Sequence, residues 1–174
     1  MSGFIPLSVP NLKGNEQKYV DSAIAQEWVS TGGAYITQFE EKFSAYAGVS
    51  SAVACQSGTA GLHLAMLVSG ISRGDLVIAP TLTFVAAVNP IRYVGAEPVF
   101  MDCDDTLCMD MDKLEQYLAK ECDFISGELY DKSLNKPIKA IVVVHVFGNN
   151  ANMEKLLEML DNCDDVQNVY HNLY

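Results

Sequence analysis

The segment Cys55-Gln-Ser-Gly-Thr-Ala-Gly61 sets small residues between a short apolar run, 51–55, and a stretch with Leu62, Ala65, Met66 and Ser69 at helical spacing. A chain passing from strand to helix through such residues leaves the first N–H groups of the helix, those of Gly58, Thr59 and Ala60, without acceptors. With the positive end of the helix dipole and the Thr59 hydroxyl they form a cradle for a phosphate. The same small residues also serve close strand–helix packing. The pattern is neither G-x-x-x-x-G-K nor G-x-G-x-x-G. A second turn, Pro80-Thr-Leu-Thr-Phe84, carries one aromatic, and Phe84 either lies against a flat ring or joins the core. His63 and His145 have no Cys or carboxylate at ligand spacing and read as hydrogen-bonded structural histidines.

The elements that must position these residues follow from periodicity. An extended arm at Ile5–Pro10 precedes a helix from about Asn15, with Val20, Ala23, Ile24 and Trp28 as one buried stripe, ended by Ser30-Thr-Gly-Gly33. Thr37-Gln-Phe-Glu40 has capping-box spacing and predicts a second helix running to Gly48. Ser51–Cys55 reads as a strand buried on both faces, Leu76–Ala79 as another, Thr83–Val94 as a helix and Glu97–Phe100 as a strand. A helix with Leu114, Tyr117 and Leu118 on one face follows. The polar stretch 121–136 carries no assignment; Ile138–Val146 is the most apolar strand and must be central, and Asn152 to about Asp161 is the last helix. Alternation of this kind predicts an α/β fold, three-layer αβα, with a mainly parallel sheet.

Composition narrows the function classes. Lys and Arg number 11 against 22 Asp and Glu among 174 residues, a formal charge of −11 that disfavours nucleic acid and anionic membrane surfaces. Ten of the acids fall between Asp102 and Asp131, read as a solvated acidic surface. No apolar run reaches the roughly 20 residues of a membrane span, and Met1–Pro6 lacks a signal-peptide pattern, so a cytoplasmic chain is expected. Five cysteines without a C-x-x-C pair read as free thiols.

Longer motifs carry a resemblance. Pro6-Leu-Ser, Trp28-Val-Ser-Thr-Gly-Gly33, Gln38-Phe-Glu40, Gln56 to Ala65, Gly74-Asp75, Pro80 to Val85, Gly95 to Phe100, Asp102 and Val144-His-Val-Phe-Gly148 stand in the order found in the DegT/DnrJ/EryC1/StrS aminotransferases. The chain resembles that family, and most its LegC type, over about residues 4 to 157. The resemblance implies the large domain of a fold type I enzyme that uses pyridoxal 5′-phosphate (PLP). It implies that Gly58, Thr59 and Ala60 hold the PLP phosphate, that Phe84 stacks on the pyridine ring, and that Thr31 and Gly32 lie at the sugar end of the site. It also implies a 4-keto-6-deoxy nucleotide sugar as substrate, an amino donor such as glutamate, and a homodimer.

The family also uses an Asp that keeps the pyridine nitrogen protonated and a Lys that forms the Schiff base. None of the nine lysines occupies that context; Lys13, Lys18, Lys132, Lys136 and Lys139 read as surface charge. No catalytic residue and no metal ligand is therefore assigned, and the chain alone is expected to lack turnover. Residues 1–157 read as a partial aminotransferase large domain and 158–174 as an unrelated acidic tail. Within the tail Asp164–Asn172 resembles the end of YebC-type transcriptional regulators, which implies a chimera joined near Met153–Glu158; a frameshifted tail is the alternative. A non-catalytic fragment that binds PLP or phosphate, or engages a dimer partner, is the second reading of function.

Overall fold

The computed structural model describes residues 3–6 and 8–161, so the YebC-like segment Asp164–Asn172 and Cys163 lie outside the described residues. The chain divides into two units between Ala54 and Cys55.

In the first unit α1 spans Glu16–Ala25 and α2 spans Ala34–Ala47. Helix α1 stops short of Trp28 because Glu27 adopts a left-handed conformation (φ 59°). The indole lies over Gly32 instead, where a Cβ would meet it at 3.0 Å. Helix α2 starts a turn earlier than the Thr37–Glu40 box suggests, because extended Gly33 serves as its N-cap. Glu40, spared from capping, accepts the Ala54 N–H at 2.8 Å. The helix ends at Gly48 as expected, with Gly48 left-handed (φ 68°) and the Val49 N–H donating back to Ser44 at 3.0 Å. The stripe expected to be buried on α1 is not: Val20 and Ile24 are 56% and 59% exposed. An edge-on contact of Tyr19 with Tyr35, centroids 5.3 Å apart, and a Tyr35 hydroxyl donating to Ser22 Oγ at 2.9 Å link the two helices. The strand expected at Ser51–Cys55 is absent; these residues join no strand of the sheet.

The second unit contains α3 (Gly58–Val68), β1 (Leu76–Pro80), α4 (Asn89–Tyr93), β2 (Glu97–Met101), α5 (Met111–Glu121), β3 (Cys122–Ile125), β4 (Glu128–Asp131), β5 (Lys136–Ile141) and α6 (Met153–Asp161). They form an α/β architecture around a five-stranded sheet of order β2-β1-β5-β4-β3. Strand β1 is buried throughout and alternates between two cores. Ile78 packs with Leu114 of α5 and Leu156 of α6, whereas Val77 and Ala79 pack with Met66 of α3 and Ile91 of α4. Helices thus cover both faces, giving the three layers.

The sheet is mixed. β1 runs parallel to β2 and β5, whereas β4 is antiparallel to both β5 and β3. The antiparallel part comes from the unassigned polar stretch, where Ser126 (φ 54°) and Gly127 (φ 87°) make the two-residue turn of a hairpin. Strand β5 is central, but it begins at Lys136 because β4 pairs with it there and ends at Ile141 rather than Val146. The single helix expected over Thr83–Val94 is broken: a 3-10 turn at Val85–Ala87 precedes α4. Pro90 is the cause, since a proline is tolerated in a first helical turn and excluded from an interior one.

Candidate functional site

Ser57 departs into the extended conformation (φ −162°, ψ 161°) and caps α3. Its Oγ accepts the Ala60 N–H at 3.2 Å and its carbonyl accepts the Gly61 N–H at 3.0 Å. The three-donor cradle expected from the sequence is therefore reduced: Ala60 is engaged by the cap, and the N–H groups of Gly58 and Thr59 are the two without intrahelical acceptors. A Cβ built on Gly58 meets nothing within 4 Å, so the start of α3 is uncrowded at that position. The positive end of an 11-residue helix and the hydroxyls of Ser57 and Thr59 complete an arrangement suited to an anion. Sequence reasoning missed Ser57, although a Ser three residues before a helical N–H is itself a capping signal.

Helix α3 is held from behind by Met66 in the β1 core and packs on the 3-10 turn and α4 that follow Phe84. His63 meets the Tyr93 ring edge-on at 5.5 Å. Phe84 is not a core residue: it is 79% exposed, with extended backbone just before the 3-10 turn. It lines a cavity of about 380 Å³ together with Leu82, Thr83, His145, Val146 and Phe147. These side chains come from the segments following the parallel neighbours β1 and β5, where open α/β sheets bind ligands. His145 accepts the Ala151 N–H at Nδ1, 3.1 Å, in keeping with the hydrogen-bonded histidine expected. Gly58, Thr59, Ala60 and Phe84 all belong to the second unit; Thr31 and Gly32 belong to the first, in the turn beneath Trp28.

The acidic stretch is threaded by lysines. Lys113 pairs with Asp102 at 2.6 Å and Asp110 at 3.7 Å, and Lys155 with Asp112 at 2.5 Å and Glu115 at 2.7 Å. Hydrogen bonds from Lys113 and the Cys103 N–H hold the Asp102 carboxyl below its usual range. Lys132, Lys136 and Lys139 pair with Asp123, Glu97 and Glu128, and among the described residues no lysine lines the Phe84 cavity. Among the described residues two carboxylates are buried, Asp75 and Asp131; Asp131, 4% exposed, accepts from the Tyr117 hydroxyl at 2.6 Å, Ser133 Oγ at 2.7 Å and the Leu134 N–H at 2.7 Å. Burial opposes its charge, but these donors outweigh burial and hold its pKa low. Among the described residues no helix is long and apolar enough to cross a membrane.

A three-layer α/β unit with a helix start suited to an anion and an exposed aromatic in the segment after β1 is an arrangement in which α/β folds commonly hold nucleotides and cofactor phosphates. Residues 10–164 match the model of the DegT/DnrJ/EryC1/StrS aminotransferase family, and the chain belongs to that family. It is 41% identical over 157 residues to GDP-perosamine synthase of Escherichia coli O157:H7, covering 90% of this chain and 39% of that protein. It is 38% identical to GDP-perosamine synthase of Caulobacter vibrioides, covering 89% and 38%. The fold matches the PLP-form of Spr1654 from Streptococcus pneumoniae with a TM-score of 0.72 at 29% identity, over 91% of this chain and 36% of that one. A DegT DnrJ EryC1 StrS aminotransferase from Brucella abortus matches with a TM-score of 0.70 at 29% identity, over 84% and 37%. The chain thus spans under two fifths of the length of these relatives.

Proposed function

We propose that this chain supplies the cofactor-phosphate half of a PLP-dependent aminotransferase acting on a 4-keto-6-deoxy nucleotide sugar, with an amino donor such as glutamate, in a homodimer. The observation that carries this reading is the start of α3, where two N–H groups have no intrahelical acceptors and a Cβ on Gly58 would meet nothing, in a chain of this family. The residues present fit the cofactor: Gly58 and Thr59 take its phosphate, Ala60 orders the turn through Ser57, and exposed Phe84 offers a face to its ring. Thr31 and Gly32 are assigned to the sugar; at Gly32 the Trp28 ring crowds any side chain and leaves backbone for recognition.

Bound PLP supplies an electron sink that lets an amino group pass between carbons. The residues of this chain bind and orient it. The helix dipole and the two N–H groups neutralise part of the phosphate charge, and the cap fixes their direction before the ligand arrives. Phe84 restricts the tilt of the ring. In this reading residues 1–157 form the large-domain portion and 158–174 a separate acidic tail, with α6 (Met153–Asp161) running across the boundary. In this reading the 174-residue chain acts in the cytoplasm and alone lacks turnover, because none of its nine lysines occupies a Schiff-base context.

Pyridoxine 5′-phosphate, which has no aldehyde and cannot label surface lysines, tests the binding step. A saturable rise in melting temperature is expected, and its absence overturns the reading. Amino-sugar formation by the purified chain, with a borohydride-trapped PLP adduct on one lysine, would overturn the inactivity.

A further inference from the structure

We propose that residues 162–174 of this chain cover an apolar groove beside the end of α6, seated there by Val166, Val169, Tyr170 and Leu173. The groove, a cavity of about 390 Å³, is lined from α6 and from the strands β1, β3, β4 and β5. Ile78, Phe124, Leu129, Ile141, Met159 and Leu160 make most of its apolar surface. Ile78 is fully buried, but Phe124 is 44% exposed and the other four are only half-buried. The two charged side chains of the wall, Lys139 and Glu128, pair with each other, so what the groove offers a visitor is hydrocarbon. Left uncovered, an apolar face of this kind invites association.

Chain connectivity selects the occupant. Helix α6 spans Met153–Asp161, so two residues of its last turn line the groove and residue 162 departs beside it. Val166 stands five residues after Asp161 and within about 18 Å of it even at full extension. A segment tethered this closely meets the groove at an effective concentration on the order of millimolar, which a second copy in dilute solution does not match. The sequence of the segment fits as well. Val166, Val169, Tyr170 and Leu173 stand at i, i+3, i+4 and i+7, the anchor spacing by which an apolar stripe is laid in a groove. The residues between them, Gln167, Asn168, His171 and Asn172, are polar. Such a stripe needs an apolar surface to lie on, and the groove is one within reach of its tether.

Photo-cross-linking on the 174-residue chain tests this, with benzoylphenylalanine in place of Tyr170. Irradiation should join the tail to Phe124, Leu129, Ile141 or their sequence neighbours within the same molecule, as mass spectrometry of the digest would read. Val166→Asp combined with Val169→Asp should lower the yield of that product by about tenfold or more, the worth of one buried apolar side chain. Phe124→Asp, at an exposed wall position, should lower it likewise. The tail variant leaves the wall intact, so its result does not depend on how the wall variant folds. A product that survives the tail changes, or one that maps elsewhere on the chain, overturns the proposal. So does a product joining isotopically light and heavy copies, which would make a second copy the occupant. Absence of any product above capture by solvent overturns it as well.

Discussion

Replacing Gly58 by aspartate should move stability and ligand binding in opposite directions. Gly58 is the first residue of α3, its φ lies outside the left-handed region, and a Cβ there touches nothing within 4 Å, so the new side chain fits without displacement. A carboxylate at that position meets the positive end of the helix, worth about 0.3–1 kcal/mol. Loss of glycine freedom in the unfolded chain adds about 0.4–1 kcal/mol. The melting temperature should therefore rise by a few degrees, on the order of 1 kcal/mol. Binding responds to the same charge with the opposite sign. Two unit charges about 5 Å apart repel by about 3 kcal/mol at an effective dielectric near 20, so a phosphate in front of the helix should lose at least about a hundredfold in affinity. Gly58→Ala is the control: it should keep the gain from reduced chain freedom and bind nearly as wild type. Thermal denaturation and calorimetry with pyridoxine 5′-phosphate read the two effects. Undiminished binding by Gly58→Asp would refute the phosphate site, and a fall in melting temperature would refute the open helix start.

Other substitutions probe the remaining parts. Phe84→Ala removes a ring that is 79% exposed, so stability should change by under about 0.5 kcal/mol while affinity for the pyridine ligand falls, as a urea melt and calorimetry would reveal. Tyr117→Phe takes one donor from buried Asp131 and should cost about 1–3 kcal/mol, read from the urea midpoint. The folded pKa of Asp131 is depressed, so the stability linked to its charge is present above the unfolded value of about 3.9 and is lost as pH falls through the folded value. In Tyr117→Phe that folded value rises toward the unfolded one, so the acid loss should begin near the same pH, be complete at a higher pH and have a smaller amplitude. Leu114→Ala, at a fully buried core position, should cost about 2–5 kcal/mol, again by urea unfolding.

Much of this architecture is legible in local chemistry. Leu76–Ala79 and Glu97–Phe100 are short apolar runs with few alternatives, and both are strands. Gly48 ends α2 because its left-handed conformation favours glycine. Helix α6 follows from Leu156, Leu157 and Leu160 at helical spacing, one face of which meets the sheet core. The hairpin of β3 and β4 is harder to read, because its Ser126-Gly127 turn lies in a stretch rich in polar and charged residues, and its place in the sheet is set by antiparallel pairing of Leu129–Asp131 with Lys136–Ile138. The strand expected at Ser51–Cys55 fails for another reason: the segment has strand composition, but a strand exists only where its backbone finds a neighbour, and composition does not supply one.

The site divides in the same way. The residue types from Ser57 to Gly61 determine by themselves that a helix begins there with exposed N–H groups, since the first turn of any helix leaves donors unmatched and small residues leave them uncovered. Which donors remain for a ligand is decided by the structure, because the Ser57 rotamer takes the Ala60 N–H. Likewise the aromatic at Phe84 and the imidazole at His145 are evident as residue types 61 positions apart. Only the parallel pairing of β1 with β5 brings their following segments to one cavity, because register between distant strands is a property of the sheet and not of either segment.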